Sequence, residues 1–202
     1  MNLVIIKYNA GNIQSVLYAL ERIGLEAKVT DDVEQISSAD KVIFPGVGEA
    51  SSAMRYLRDR KLDEVIKELT QPVLGICLGM QLMCRFSEEN NVHCLHIFDE
   101  DVKLFKQAAQ QQDSNIKIPQ IGWNNMYDLK TALFNEVPEN SFTYFVHSYY
   151  AALGTHTIAT TNYIIPYSSA LHKNNFYGVQ FHPEKSAGTG EQILRNFIER
   201  CN

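Results

Sequence analysis

A cysteine set between two glycines, Gly75-Ile76-Cys77-Leu78-Gly79, stands where one short apolar run ends and a second begins. The pattern predicts a buried strand that stops there and a helix, Leu78 to Phe86, that starts, with the thiol at the corner. Glycine on either side allows a turn tight enough to point a side chain outward, the logic of a nucleophile elbow with sulfur in place of a hydroxyl. A helix N-terminus at that point favours thiolate over thiol, and free amides such as that of Leu78 can donate to an oxyanion. Taken alone, the stretch reads equally well as a small buried hydrophobe closing a strand.

A cysteine nucleophile needs a base. Of the six histidines, His182 is followed by a carboxylate in a favourable arrangement, Phe181-His182-Pro183-Glu184. Pro183 biases His182 toward extended backbone, where residues two apart project to one side, so the sequence predicts that His182 and Glu184 share a face. His182 would then take the Cys77 proton while Glu184 orients the ring. Pro45-Gly46-Val47-Gly48 adds a loop whose backbone N–H groups can meet a developing oxyanion. Separately, each is an ordinary feature: a surface His and Glu, and a strand-ending turn.

The elements that must carry these residues follow from periodicity. Leu3 to Ile6 reads as a strand, Asn12 as an N-cap, and Ile13, Val16, Leu17, Leu20 and Ile23 as one helical face, with Gly24 as its stop. Strands follow at Glu26 to Thr30 and Lys41 to Phe44, and helical spacing recurs at Ala50, Ala53, Met54 and Leu57 and at Leu62, Val65, Ile66 and Leu69. This alternation predicts an α/β fold with an open, mostly parallel central sheet flanked by helices. Ligands in such sheets collect beyond the carboxyl ends of the strands, where both the Pro45 to Gly48 loop and Cys77 fall. After about residue 90 the pattern turns strand-rich and partly antiparallel, with Val102 to Phe105, Ile118 to Trp123, Phe142 to Val146 and Phe176 to Phe181 as extended segments. Lys106 to Asn115 reads as a polar, glutamine-rich connector. Ile193, Leu194, Phe197 and Ile198 form the stripe of a final helix from Glu191 to Arg200.

With 202 residues the chain suits one domain, residues 1–202. A net charge of −5 gives no basic footprint, which argues against nucleic acid or an anionic membrane as the main partner. Four cysteines without paired spacing point to a reducing compartment, and no apolar window approaches membrane-spanning length, so the expected location is the cytoplasm. His93-Cys94-Leu95-His96 with Cys84 matches no common zinc spacing, so neither metal nor other cofactor is expected.

The cysteine corner, the PGVG loop and the late His182-Pro183-Glu184 together resemble the class I, or triad, glutamine amidotransferases over almost the whole length, and the flavodoxin-like fold of that family matches the predicted sheet. Tyr8 to Asn12, Pro119 to Asn124, Phe145 to Tyr150 and His182 to Ser186 are similar to the branch that supplies ammonia for histidine biosynthesis. Lys7, Asn9 and Glu49-Ala50 depart from that branch's usual residues, and none touches the triad. The resemblance implies that Cys77 attacks the side-chain amide of L-glutamine, that His182 passes the proton to ammonia, and that Glu184 holds His182. It places substrate contacts on Gly46, Gly48, Leu78, Gln81, Ser148 and Tyr149, and oxyanion donors on the backbone of Val47 and Leu78. It further implies a barrel-fold cyclase as partner in a heterodimer, met by Asn12, Gln120, Trp123 and Lys185, with glutaminase activity low until that partner docks. A paralogue serving another synthase, such as one amidating surface sugars, a stand-alone cysteine hydrolase and a silent binding domain are the other readings. Retention of Cys77, His182 and Glu184 together favours the partnered glutaminase.

Overall fold

The computed structural model describes residues 1–9, 12–112 and 116–201. Its first half alternates strand and helix: β1 (Leu3–Ile6), α1 (Ile13–Arg22), β2 (Lys28–Thr30), α2 (Val33–Ser37), β3 (Lys41–Gly46), α3 (Ala50–Asp59), α4 (Leu62–Glu68), β4 (Val73–Cys77) and α5 (Leu78–Met83). Then follow β5 (Phe86–Ser87), β6 (Val92–His93), β7 (Asp101–Leu104), α6 (Phe105–Gln111), β8 (Gln120–Asn125), β9 (Phe142–His147), β10 (Tyr149–Ala151), β11 (Thr157–Tyr163), β12 (Ile165–Lys173), β13 (Phe176–Val179) and α7 (Ala187–Arg200).

Strands β2-β1-β3-β4-β13 run parallel, and β13 then pairs antiparallel with β12, which leads through β10 and β7 to β5 and β6. The inner strands β1, β3, β4 and β13 are buried along their whole length because both faces are covered, whereas the edge strand β2 is partly exposed. In β1, Leu3 and Ile5 pack with Val16, Leu20 and Phe197 from α1 and α7, while Val4 and Ile6 pack with Met54, Leu57 and Ile66 from α3 and α4. The two-residue period thus sends one apolar set to each layer.

Three strand ends meet at one level. Gly46 at the end of β3 is the register partner of Cys77 at the end of β4, and Ile76 is opposite Val179 at the end of β13. Residues that follow β13, His182 among them, therefore emerge beside Cys77 although more than a hundred positions separate them in the chain.

Several segments differ from the sequence reading. Lys106 to Asn115 is not simply a connector: α6 occupies its first part, with Phe105, Ala108 and Ala109 buried at helical spacing, and residues 113–115 lie outside the described residues. Part of the Tyr8 to Asn12 loop, residues 10 and 11, also lies outside them. Asn12 does not cap α1 through its side chain; it is left-handed (φ 81°), and its Nδ2 donates instead to Glu184 Oε1 at 3.3 Å. Helix α5 ends at Met83 because Cys84 is already extended and the chain turns into β5. In β9 the apolar alternation of Phe142, Tyr144 and Val146 faces outward, while Thr143, Phe145 and His147 are buried.

The β4 to α5 corner depends on missing side chains. A methyl on Gly79 would lie 1.8 Å from the Phe44 carbonyl oxygen, and one on Gly75 would lie 2.8 Å from the Met80 nitrogen. Helix α5 is therefore pressed directly onto β3 and β4. Gly79→Ala is expected to cost about 3 kcal/mol, since backbone rather than a flexible side chain must yield. Urea unfolding of the variant against the parent chain measures it, and an unchanged midpoint would contradict the packing.

Candidate active site

Cys77 sits at the corner with φ 52° and ψ −107°, an uncommon backbone conformation for a residue with a side chain. It is held there by β4 on one side and the glycine-permitted approach of α5 on the other. The thiol is 6% exposed and donates weakly to the Val146 carbonyl at 3.9 Å.

His182 follows β13 in extended conformation, and Pro183–Lys185 forms a single 3-10 turn that folds Glu184 back under the ring. Glu184 Oε1 lies 2.8 Å from His182 Nδ1. The two side chains do share a face, but through this turn rather than through a continuing strand. Further bonds fix the turn. The His182 amide donates to the Tyr144 carbonyl at 2.9 Å, Ser186 Oγ donates to the His182 carbonyl at 2.6 Å, and Asn12 steadies Glu184 from α1. Burial by itself pushes the imidazole pKa down; hydrogen bonding and charge from the Cys77 sulfur and from Glu184 outweigh it and lift it to about 10. His182 is therefore a cation at neutral pH.

A second histidine behaves in the opposite way. His147 is buried with Nδ1 2.7 Å from the Tyr149 carbonyl and Nε2 3.3 Å from the Tyr167 hydroxyl. Desolvation lowers its pKa to about 4, and the charge on His182 adds to the shift against the opposing bond to Tyr149. A carbonyl accepts, so Nδ1 carries the hydrogen of a neutral ring.

A cavity of about 330 Å³ opens in front of Cys77 and His182. Val47, Gly48, Leu78, Gln81, Ser148 and Tyr149, all singled out in the sequence, line it. Gly46 lies behind this wall: a methyl there would meet the Tyr8 hydroxyl and the Leu78 side chain. Lys185, Pro119, Val146, His147 and Glu89 complete the lining.

Glu89 is a residue the sequence reading missed. It is half-buried, Oε2 accepts from the Ala50 amide at 2.7 Å, and burial raises its pKa against that bond. Its position depends on the β5–β6 hairpin turning back over the cavity, and the only local signal is the acidic pair Glu88-Glu89 after a short apolar strand.

Beside the cavity, β8 and β9 form a separate two-stranded antiparallel ribbon with Ile121 opposite Val146 and Trp123 opposite Tyr144. Ile121, Trp123, Phe142 and Val146 are exposed, by 63%, 52%, 57% and 36%, and make one apolar face. Lys185 is also exposed, and Asn12 is partly so. Gln120 differs from the expectation of an interface position: it is 2% exposed, and its Oε1 accepts from Tyr167 at 2.9 Å. Strand alternation turns Gln120 inward while Ile121 and Trp123 face out.

Among the described residues no group of histidine, cysteine and carboxylate side chains is arranged to hold a metal ion, and no helix is long and apolar enough to cross a membrane.

Similarity to known proteins agrees with the geometry. The family described as Glutamine amidotransferase class-I matches residues 4–201. The chain is 58% identical over 199 residues to the "Imidazole glycerol phosphate synthase subunit HisH" of Bacteroides fragilis, covering 98% of this chain and 100% of that one. The protein of the same description from Haemophilus influenzae is 45% identical over 201 residues, covering 99% and 98%. In fold, the chain is similar to a glutamine amidotransferase of known crystal structure (TM-score 0.73, 17% identity, 97% of each chain covered). It is likewise similar to PurLQS from Thermotoga maritima (TM-score 0.71, 13% identity, 100% and 99% covered). An α/β sheet that brings a strand-end cysteine and a histidine to one cavity, with a glutamate bonded behind the histidine, matched by the family over nearly its whole length, places this chain in the class I glutamine amidotransferases.

Proposed function

We propose that the chain, as a single domain over residues 1–202, is the glutaminase subunit of an imidazole glycerol phosphate synthase, releasing ammonia from L-glutamine for a cyclase subunit. The observation that carries the chemistry is that Cys77 and His182 meet at one cavity with Glu184 bonded to the far side of the ring. High identity to proteins of that description supports the assignment to this synthase.

In the reaction so read, the Cys77 sulfur attacks the side-chain amide carbon of glutamine. The carbonyl π pair moves to oxygen, which the backbone N–H groups of Val47 and Leu78 receive. Collapse breaks the C–N bond, and protonated His182 gives its proton to the departing ammonia. The neutral ring then takes a proton from water, hydroxide attacks the thioester, and glutamate leaves as the thiolate and imidazolium are restored. Glu184 holds the ring's Nδ1 side throughout, so Nε2 is the working nitrogen. His147 has no part in proton transfer because it is buried and neutral, with its Nδ1 hydrogen given to the Tyr149 carbonyl.

The same cavity suits the amino-acid end of glutamine. Glu89 is the one carboxylate among its lining residues, and the oxygen not bonded to Ala50 is available to the α-ammonium group. Gly48, at φ 119° with open space where a side chain would stand, leaves the oxyanion loop free to approach, and Gln81, Ser148 and Tyr149 line the same cavity. The exposed face of Ile121, Trp123, Phe142 and Val146 is read as the docking surface for the cyclase, in a heterodimer with a barrel-fold partner. Val146 belongs to both face and cavity, and Lys185 is exposed at the cavity wall, so a partner seated there covers the route by which ammonia leaves. Asn12, bonded to Glu184, would carry its presence to the triad. Such a subunit works in the cytoplasm.

Alone, the chain should release little glutamate from glutamine, and addition of the cyclase subunit with its nucleotide ligand should raise turnover by orders of magnitude; full activity without a partner would overturn the reading. Cys77→Ala should abolish glutamate release while complex formation persists, as read by steady-state assay and gel filtration. Glu89→Gln should raise KM for glutamine about tenfold or more with kcat nearly kept, the pattern of a lost charge-assisted ground-state contact.

The two histidines make opposite contributions to stability with pH. His182, raised to about 10 from 6.5, adds stability that is complete below 6.5 and is lost as pH rises through about 10. His147, lowered to about 4, adds stability that is present above 6.5 and is lost as pH falls through about 4. The stability gap between the parent chain and His147→Gln should therefore narrow by up to about 3 kcal/mol between neutral pH and pH about 4, as measured by urea unfolding at several pH values. A gap independent of pH would show that His147 does not titrate as its burial implies.

A further inference from the structure

Gln180, fully buried between β13 and His182, has no task in the mechanism above, yet its side chain reaches the reacting sulfur. Its Nε2 lies 3.7 Å from Cys77 Sγ, within hydrogen-bonding range for sulfur. Its Oε1 accepts from Gln81 Nε2 at 2.9 Å, and the same Gln81 nitrogen donates to the Tyr149 backbone carbonyl at 3.0 Å.

Donor and acceptor types fix both amides. The Tyr149 carbonyl can only accept, so the Gln81 atom facing it is nitrogen. The second hydrogen of that nitrogen needs an acceptor, so the facing atom of Gln180 is oxygen, and the Gln180 amide nitrogen is left pointing at the sulfur. Reversing Gln180 would set two N–H groups against each other and turn an oxygen toward the thiolate, in a place where both residues are buried. A backbone carbonyl in β10 thereby determines what Cys77 faces.

We propose that Gln180 is a catalytic hydrogen-bond donor to the Cys77 sulfur and that Gln81 is the positioning residue that orients it. The inference rests on Cys77 being the nucleophile. An N–H aimed at sulfur favours thiolate over thiol in the free enzyme. It acts again when the thiolate leaves at the end of thioester hydrolysis, because negative charge returns to the same atom. Gln81 spends both amide hydrogens within the wall, so its contact with glutamine is through its oxygen. The ionisable groups around the sulfur are His182 beside it, Glu184 behind that ring, and Tyr8 and Tyr167, whose phenols are pushed up by burial. His147, Glu89 and Lys185 stand on the cavity wall.

Gln180→Met keeps the side chain's length and removes the donor; Gln81→Met keeps Gln180 and removes its anchor. Alkylation of Cys77 by iodoacetamide is followed across pH by mass spectrometry of the Cys77 peptide, and glutamine turnover is followed in the complex with the cyclase subunit. The pH–rate curve of Gln180→Met should move upward by about one to two pH units, the size of one hydrogen bond to a charged group, with a smaller shift in the same direction for Gln81→Met. For Gln180→Met, kcat should fall about tenfold or more while KM stays within about twofold. A residue that only fills space would leave the alkylation curve in place. Should Gln180→Met not fold, the Gln81→Met curve decides. Curves that coincide with the parent enzyme overturn the inference while the Cys77 mechanism stands. A Cys77 that is dispensable for glutamine hydrolysis overturns the mechanism and the inference together.

Discussion

The approach of Gly79 to the Phe44 carbonyl is the contact on which the rest of the site depends. It lets α5 begin immediately at the end of β4, lying on β3 with no side chain between them. With the helix so placed, Cys77 takes its positive φ, Leu78 comes to line the cavity, and Gly46 stands in register with Cys77. A side chain at either glycine of the corner would lift the helix and move the thiol relative to strands that cannot follow, because they are buried on both faces.

Polar side chains are layered behind that corner. Glu184 meets His182, Asn12 meets Glu184, and the Gln180 amide at the end of β13 meets the Gln81 amide of α5. Buried polar groups are stabilising only when their partners are in place, so such layers specify one geometry more sharply than an apolar wall would. The electrostatic outcome differs between the two histidines of the site, although both are buried. Ion pairing keeps one charged, and desolvation without a counter-charge keeps the other neutral.

The β8–β9 ribbon follows different physics. Its inner residues join the core, but its outer face carries Trp123 and Ile121 in the open. Exposed apolar area of this kind on a short ribbon has a favourable place only against another surface. The face reaches the rim of the cavity, where Val146 belongs to both.

Much of this was legible from residue order. The unbroken apolar runs, the helical stripes of α1, α3, α4 and α7, and the Gly-Ile-Cys-Leu-Gly corner are local patterns imposed by backbone periodicity and sterics, and each appears where periodicity puts it. Helix α6 reads as a connector in the sequence, because its glutamines hide the stripe of Phe105, Ala108 and Ala109. What the chain order does not contain is which strand ends lie side by side. Glu89 reaches the cavity through a hairpin, His182 and Gln180 arrive because β13 inserts next to β4, and the outward turn of Trp123 depends on which face of β8 is covered. The sequence by itself determined the chemistry available at Cys77, because residue type and local turn geometry are properties of neighbours in the chain. Only the tertiary structure decided what surrounds that sulfur and which histidine is charged, because strand order and burial are set by contacts between residues far apart in the chain.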